Sequence, residues 1–127
     1  MVKQIVKKVK QIVKENFDFL WDAIDLLLGR RDELTPPYKV RVQVGSFNDA
    51  RYYRAVGEEF FQYFKALCGL KPDEDIFDVG CGCGQMAASL TKYLDQSGTY
   101  EGFDIVSTMI EWCRKISLPN TQIFTFG

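Results

Sequence analysis

The sequence predicts an α/β domain, in which a partial parallel sheet with strand order 3-2-1 is covered by helices and preceded by an amphipathic helix. Three observations carry that prediction. The apolar run 76–79 (Ile-Phe-Asp-Val) is followed by glycines at 80, 82 and 84 and then by a helical stretch over 85–94, the pattern of a buried strand, a tight turn and a helix. Twenty residues after Gly84, the segment 100–105 forms a second strand tipped by Asp104. Residues 121–126 alternate as a third strand,.

Composition bounds what this frame can do. At 127 residues, with 46% hydrophobic and 26% charged, the chain suits one globular domain,. The net charge of −1 conceals a segregation: Lys3, Lys7, Lys8, Lys10 and Lys14 precede the first acid, Glu15, and residues 15–33 are mostly acidic. A nucleic-acid footprint along the whole chain is not favoured by that balance. The four cysteines (68, 81, 83, 113) lack paired metal-ligand spacing and histidine is absent, so neither a zinc site nor a Cys-His nucleophile is expected. The cysteines read as reduced, and a cytoplasmic setting follows by default. The run 19–28 is interrupted by Asp22 and Asp25, which argues against a membrane span or signal peptide.

Taken in order, residues 2–28 place apolar side chains at 2, 5, 6, 9, 12, 13, 17, 20, 24, 27 and 28. This is helical spacing, with the lysines opposite and Gly29 as C-cap. The expectation is a helix whose apolar stripe packs on the domain or a partner; contact of residues 1–14 with a membrane surface is the minor alternative. Residues 1–34 thus form an amphipathic extension, and 35–127 the domain proper. Thr35-Pro36-Pro37 marks a turn, and the alternation over 38–44 an edge strand on which Tyr38 and Arg41 would be solvated,. Asn48 or Asp49 caps a helix running to about residue 67, with Tyr53, Val56, Phe60, Phe61, Phe64 and Leu67 facing the core,. Gly57 interrupts it, marking a break or a close approach by ligand or backbone. Gly69 and Pro72 end it.

Residues 76–79 suit a strand buried on both faces of a parallel sheet. Glycines at 80, 82 and 84 let a ligand lie directly on the main chain, ahead of a helix N-terminus. Ser107 or Thr108 would cap the helix after the second strand, and Asp104 at that strand's tip suits a ribose diol. The run Gly82-Cys-Gly84-Gln-Met-Ala87 also fits a dinucleotide fingerprint,, so an NAD(P)-binding oxidoreductase domain is the alternative. A non-catalytic interaction protein on the same frame is a further one. Charge separates the first two. Asp78, two residues ahead of Gly80, would oppose a pyrophosphate and favour a cationic amino-acid or sulfonium group.

Asp78-Val-Gly80-Cys-Gly82-Cys-Gly84 resembles motif I of class I S-adenosylmethionine-dependent methyltransferases, and Glu101-Gly-Phe-Asp104-Ile resembles their acidic strand-two motif. The resemblance spans roughly residues 35–127 and implies a Rossmann-like methyltransferase fold with S-adenosyl-L-methionine as cofactor. It implies that Gly80, Cys81, Gly82 and Gly84 hold the methionine part and Asp104 the ribose. By the same resemblance Asp78 acts through the loop and water on the amino group, and Ile105 and Met109 line the adenine.

Members of that family continue through a seven-stranded sheet that carries acceptor-binding and catalytic residues. By that resemblance the 127 residues would correspond to the N-terminal half, a truncated form with no assigned acceptor and no nominated general base. Strand one would then have an unpaired edge. The candidates to cover it are residues 40–44, the N-terminal helix, or a second copy in a homodimer.

Overall fold

The computed structural model describes residues 1–45, 48–116 and 118–125. Eight elements follow in order: α1 (Val2–Leu27), α2 (Tyr38–Arg41), α3 (Ala50–Cys68), β1 (Asp75–Val79), α4 (Ala87–Tyr93), β2 (Thr99–Asp104), α5 (Ser107–Lys115) and β3 (Thr121–Thr125). The strands form one parallel sheet, β1-β2-β3, which is the expected adjacency read from its other edge. Asp75 lies opposite Thr99 and Val79 opposite Phe103, while Tyr100 pairs with Thr121 and Asp104 with Thr125. Phe126, expected to extend β3, lies outside the described residues.

Helix ends follow the local chemistry. Asp49 caps α3, its carboxylate accepting from the Arg51 amide at 2.8 Å, and Gly69 closes the helix with φ 65°, a left-handed turn that glycine adopts without a Cβ penalty. At α5 the expected hydroxyl cap is absent: Val106 occupies the N-cap position with no side-chain hydrogen bond at the helix start. The Val106 amide is taken instead by Asp104 Oδ1 at 2.9 Å.

Residues 38–44 correct the reading of an edge strand, because 38–41 form a turn of helix. The Val40 and Arg41 amides close on Pro37 O at 2.9 and 3.0 Å, and Asp22 Oδ1 accepts the Tyr38 amide at 2.7 Å. Tertiary partners on α1 thereby outweigh the β-propensity of the alternating valines. Arg41 is not solvated but fully buried. It forms an ion pair with Asp25 and donates to Pro36 O at 3.1 Å and Asn48 O at 2.9 Å. Tyr38 stacks on Trp21 with centroids 6.1 Å apart.

Two apolar clusters form the core. Phe61, Ala87, Leu90 and Tyr100 join α3 and α4 to the sheet, with Ile76 packed against them. Tyr53, Cys83 and Met109 form the second, under Val40 and Val44. β1 is buried on one face only, which corrects the two-sided expectation: Ile76 and Asp78 are half-buried, whereas Phe77 and Val79 stand exposed. The covering helices α3 and α4 reach only the Ile76 face. The outer edge of β1 pairs with no strand among the described residues. Residues 40–44 do not cover it, since Val40 and Val44 belong to the second cluster.

Candidate functional site

The glycine turn is tied to the end of β2 at three points. The Gly80 and Cys81 amides donate to Phe103 O at 2.9 and 3.0 Å, and the Gly82 amide donates to Asp104 Oδ2 at 2.9 Å. Asp104 therefore holds the loop with one carboxylate oxygen and the start of α5 with the other. Such charge-assisted bonds from backbone amides are among the stronger ones in proteins.

Gly80 and Gly82 adopt φ of 80° and 56°, a region that side-chain-bearing residues rarely occupy. Nothing lies within 4 Å of where a Gly80 Cβ would stand, so the main chain there faces open space. At Gly82 a Cβ would meet Val44 Cγ1 at 3.0 Å and Met109 Sδ at 3.8 Å. Val44 also lines a cleft of about 580 Å³ with Tyr38, Val42, Gln43, Gly45 and Asn48.

The loop rests on α3. The Tyr53 hydroxyl lies 3.2 Å from Cys83 Sγ, and Gln85 Nε2 donates to Tyr53 O at 2.8 Å. Gly57 is the close approach anticipated from the sequence: a Cβ there would come under 3.0 Å from the Gln85 carbonyl oxygen. On the far side, Cys113 Sγ reaches Gly82 O at 3.5 Å. Burial pushes the Cys83 thiol and the Tyr53 hydroxyl above their ordinary values. A hydrogen bond with Cys81, then burial, does the same for Cys113. These groups stay protonated at neutral pH and act as packing beneath the loop.

Of the residues nominated from the sequence, Gly80, Cys81, Gly82, Gly84 and Asp104 are brought together, with Ile105 largely exposed next to Asp104. Met109 is buried beneath Gly82. Asp78 lies on the Ile76 face of the sheet, where the Tyr100 hydroxyl donates to its Oδ2 at 2.5 Å. Burial first, and the Asp78 charge second, raise the Tyr100 pKa. Asp78 also lines an apolar groove of about 230 Å³ along β1 with Phe64, Cys68, Ile76, Met86 and Leu90. The supporting roles of Tyr53, Gln85, Val44 and Tyr100 were not read from the sequence. The position of Tyr100, two residues before Gly102 on an alternating strand, was the available signal for its facing Asp78. The described residues contain no cluster of histidine, cysteine or acid suited to a metal.

A parallel sheet whose first strand opens into a glycine loop, tied to an acid at the tip of the second, defines a Rossmann-like fold of the kind that holds nucleoside cofactors. The chain belongs to the ubiE/COQ5 methyltransferase family, whose model matches residues 32–122.

Among solved structures, the chain is similar to a SAM-dependent methyltransferase from Aquifex aeolicus, at 24% identity and TM-score 0.45 over 56% of this chain and 38% of that one. It is similar to a cyclopropane-fatty-acyl-phospholipid synthase-like protein from Lactobacillus casei, at 21% and 0.48 over 60% and 32%. It is also similar to coclaurine N-methyltransferase bound to N-methylheliamine and SAH, at 14% and 0.47 over 65% and 23%. The chain thus spans well under half the length of each of these three proteins.

Proposed function

We propose that the loop 80–84, Asp104 and Ile105 form the S-adenosyl-L-methionine site of a methyltransferase, within a Rossmann-like half-domain over 35–127. The observation that carries the reading is the bond from the Gly82 amide to Asp104 Oδ2, which couples the two motifs into one surface in a member of a methyltransferase family. The residues fit such a group. Open space stands over the Gly80 main chain, and each Asp104 oxygen, bonded to one amide, keeps a lone pair for a ribose hydroxyl.

When bound, S-adenosyl-L-methionine supplies an electrophilic methyl group on a sulfonium. Asp104 orients the ribose end, Ile105 offers apolar area beside it, and the main chain of residues 80–82 seats the methionine end. Met109 supports the loop from beneath, and Asp78, held by Tyr100, contributes negative field rather than a direct contact. Methyl transfer needs alignment more than acid/base assistance, because the sulfonium is already a good leaving group.

Calorimetric titration with S-adenosylhomocysteine, then with NAD, tests the reading. Saturable binding of the first and none of the second is expected; the reverse would establish the dinucleotide alternative. The edge of β1, unpaired among the described residues, supports a second-copy partner for this chain,. Light scattering is expected to return a dimer, and a monomer at all concentrations would remove that part.

A further inference from the structure

The orientation of α1 is the reverse of what a core-packing helix requires. Its buried residues are carboxylates, Asp18 and Asp25. The helix docks through Asp22, Asp25 and Trp21: Asp25 pairs with buried Arg41, Asp22 accepts the Tyr38 amide and lies 3.7 Å from Arg31, and Trp21 stacks on Tyr38. On helical geometry the three acids share one face, and the apolar residues 2, 5, 6, 9, 12, 13, 17 and 20 fill the opposite arc, roughly 140° wide,. That arc faces solvent: Val2 is 71% exposed, Ile5 55%, Val9 53% and Val13 60%. A groove of about 380 Å³ separates Val9, Val13 and Phe17 from Tyr38 and Val42, with Lys10 and Lys14 among its lining residues.

The charge pattern indicates what covers this stripe. Lys3, Lys7, Lys8, Lys10 and Lys14 occur before any acid; Lys8 borders the apolar arc on one side, and Lys3 and Lys10 border it on the other. Lysines in those places can lay their methylene stems along the apolar surface and lift the ammonium groups to the level of phosphate headgroups. A protein groove of no particular charge would not call for that border, whereas an anionic bilayer does. No described helix is long and apolar enough to cross a membrane, so the contact is in the interface plane. The domain is already anchored to the polar face of α1 and would ride above the surface.

We propose that residues 2–17 bind the surface of anionic phospholipid bilayers, with the apolar stripe inserted at the headgroup boundary and its bordering lysines, Lys3, Lys8 and Lys10, facing lipid phosphate. The proposal is independent of the cofactor reading.

It is tested by co-sedimentation of the full chain with vesicles of phosphatidylglycerol and phosphatidylcholine, or of phosphatidylcholine alone, at low and high salt. Two variants accompany it, Ile5→Asp/Val9→Asp and the five lysines changed to Gln. All seven positions lie at exposed sites, and circular dichroism and melting confirm that the variants fold. The expected result is salt-sensitive binding to anionic vesicles only. The lysine variant should lose on the order of a hundredfold in affinity, from the roughly fivefold attraction that each of the three bordering lysines supplies near such a surface, and the stripe variant should lose binding with its lysines intact. Failure to bind anionic vesicles, equal binding to neutral ones, or unchanged binding by either folded variant would overturn it. So would a vesicle-inert oligomer that the stripe variant dissociates, since the stripe would then cover a second copy.

Discussion

Replacing Gly57 with alanine sets two physical effects of opposite sign against each other. In the interior of α3, alanine is worth about 1 kcal/mol over glycine from backbone entropy alone. Yet the new Cβ would come under 3.0 Å from Gln85 O, with Gln85 C at 3.2 Å and Gln85 Cγ at 3.3 Å. The first two are backbone atoms, and the Gln85 side chain is itself held by its bond to Tyr53 O. The strain therefore cannot be relieved by a side-chain rotation, and an approach this close to backbone falls at the upper end of the overpacking range, about 3 kcal/mol. The net expectation for Gly57→Ala is a loss of about 2 kcal/mol, or roughly 6 °C in melting temperature for a domain of this size. Urea unfolding at constant m-value measures it. A variant as stable as the parent, or more so, would refute the packing of α3 on the glycine loop.

Other consequences follow from the buried groups. Arg41→Ala leaves Asp25 charged and uncompensated in the interior, and chemical denaturation should register a loss of about 3–5 kcal/mol. Arg41→Met combined with Asp25→Leu should recover only part of it, because the uncompensated charge is gone but the Pro36 and Asn48 carbonyls that Arg41 served stay unpaired,. Cys68 is exposed while Cys81, Cys83 and Cys113 are buried. Mass spectrometry after iodoacetamide should find Cys68 alkylated first. With the pKa values of Cys83 and Cys113 raised, their thiolate fractions are depleted, and going from about pH 7 to 9 should leave both unlabelled until the chain unfolds.

What the sequence displayed best was local. Glycines 80, 82 and 84 and the acid at 104 are spaced by the chain itself, so loop and strand tip could be paired before any coordinates. Gly57 was legible as an anomaly, because a glycine mid-helix has a propensity cost that some contact must justify. Residues 38–44 misled for the complementary reason. Their alternation is that of a strand, but the Tyr38 amide and the Arg41 side chain are claimed by Asp22 and Asp25 from sixteen residues earlier, and such pairings leave no periodic trace. The exposed side of β1 was hidden too. Ile76, Phe77 and Val79 are equally apolar, and only the placement of α3 and α4 decides which face is covered. The helix period of α1 was plain, whereas its docking through carboxylates depended on where Arg41 would lie.

The central claim is that Asp104 serves both loop and ligand, and Asp104→Asn tests it most directly. The carboxylate accepts from the Gly82 and Val106 amides at 2.9 Å each. Asparagine keeps a single acceptor oxygen and turns an amide donor toward one of those N–H groups. It also weakens the charge-assisted acceptance of a ribose hydroxyl, a contact worth roughly 1.5–3 kcal/mol. Titration calorimetry with S-adenosylhomocysteine is therefore expected to show affinity lower by about tenfold or more than the unaltered chain. Equal affinity in a variant that still folds would contradict the account.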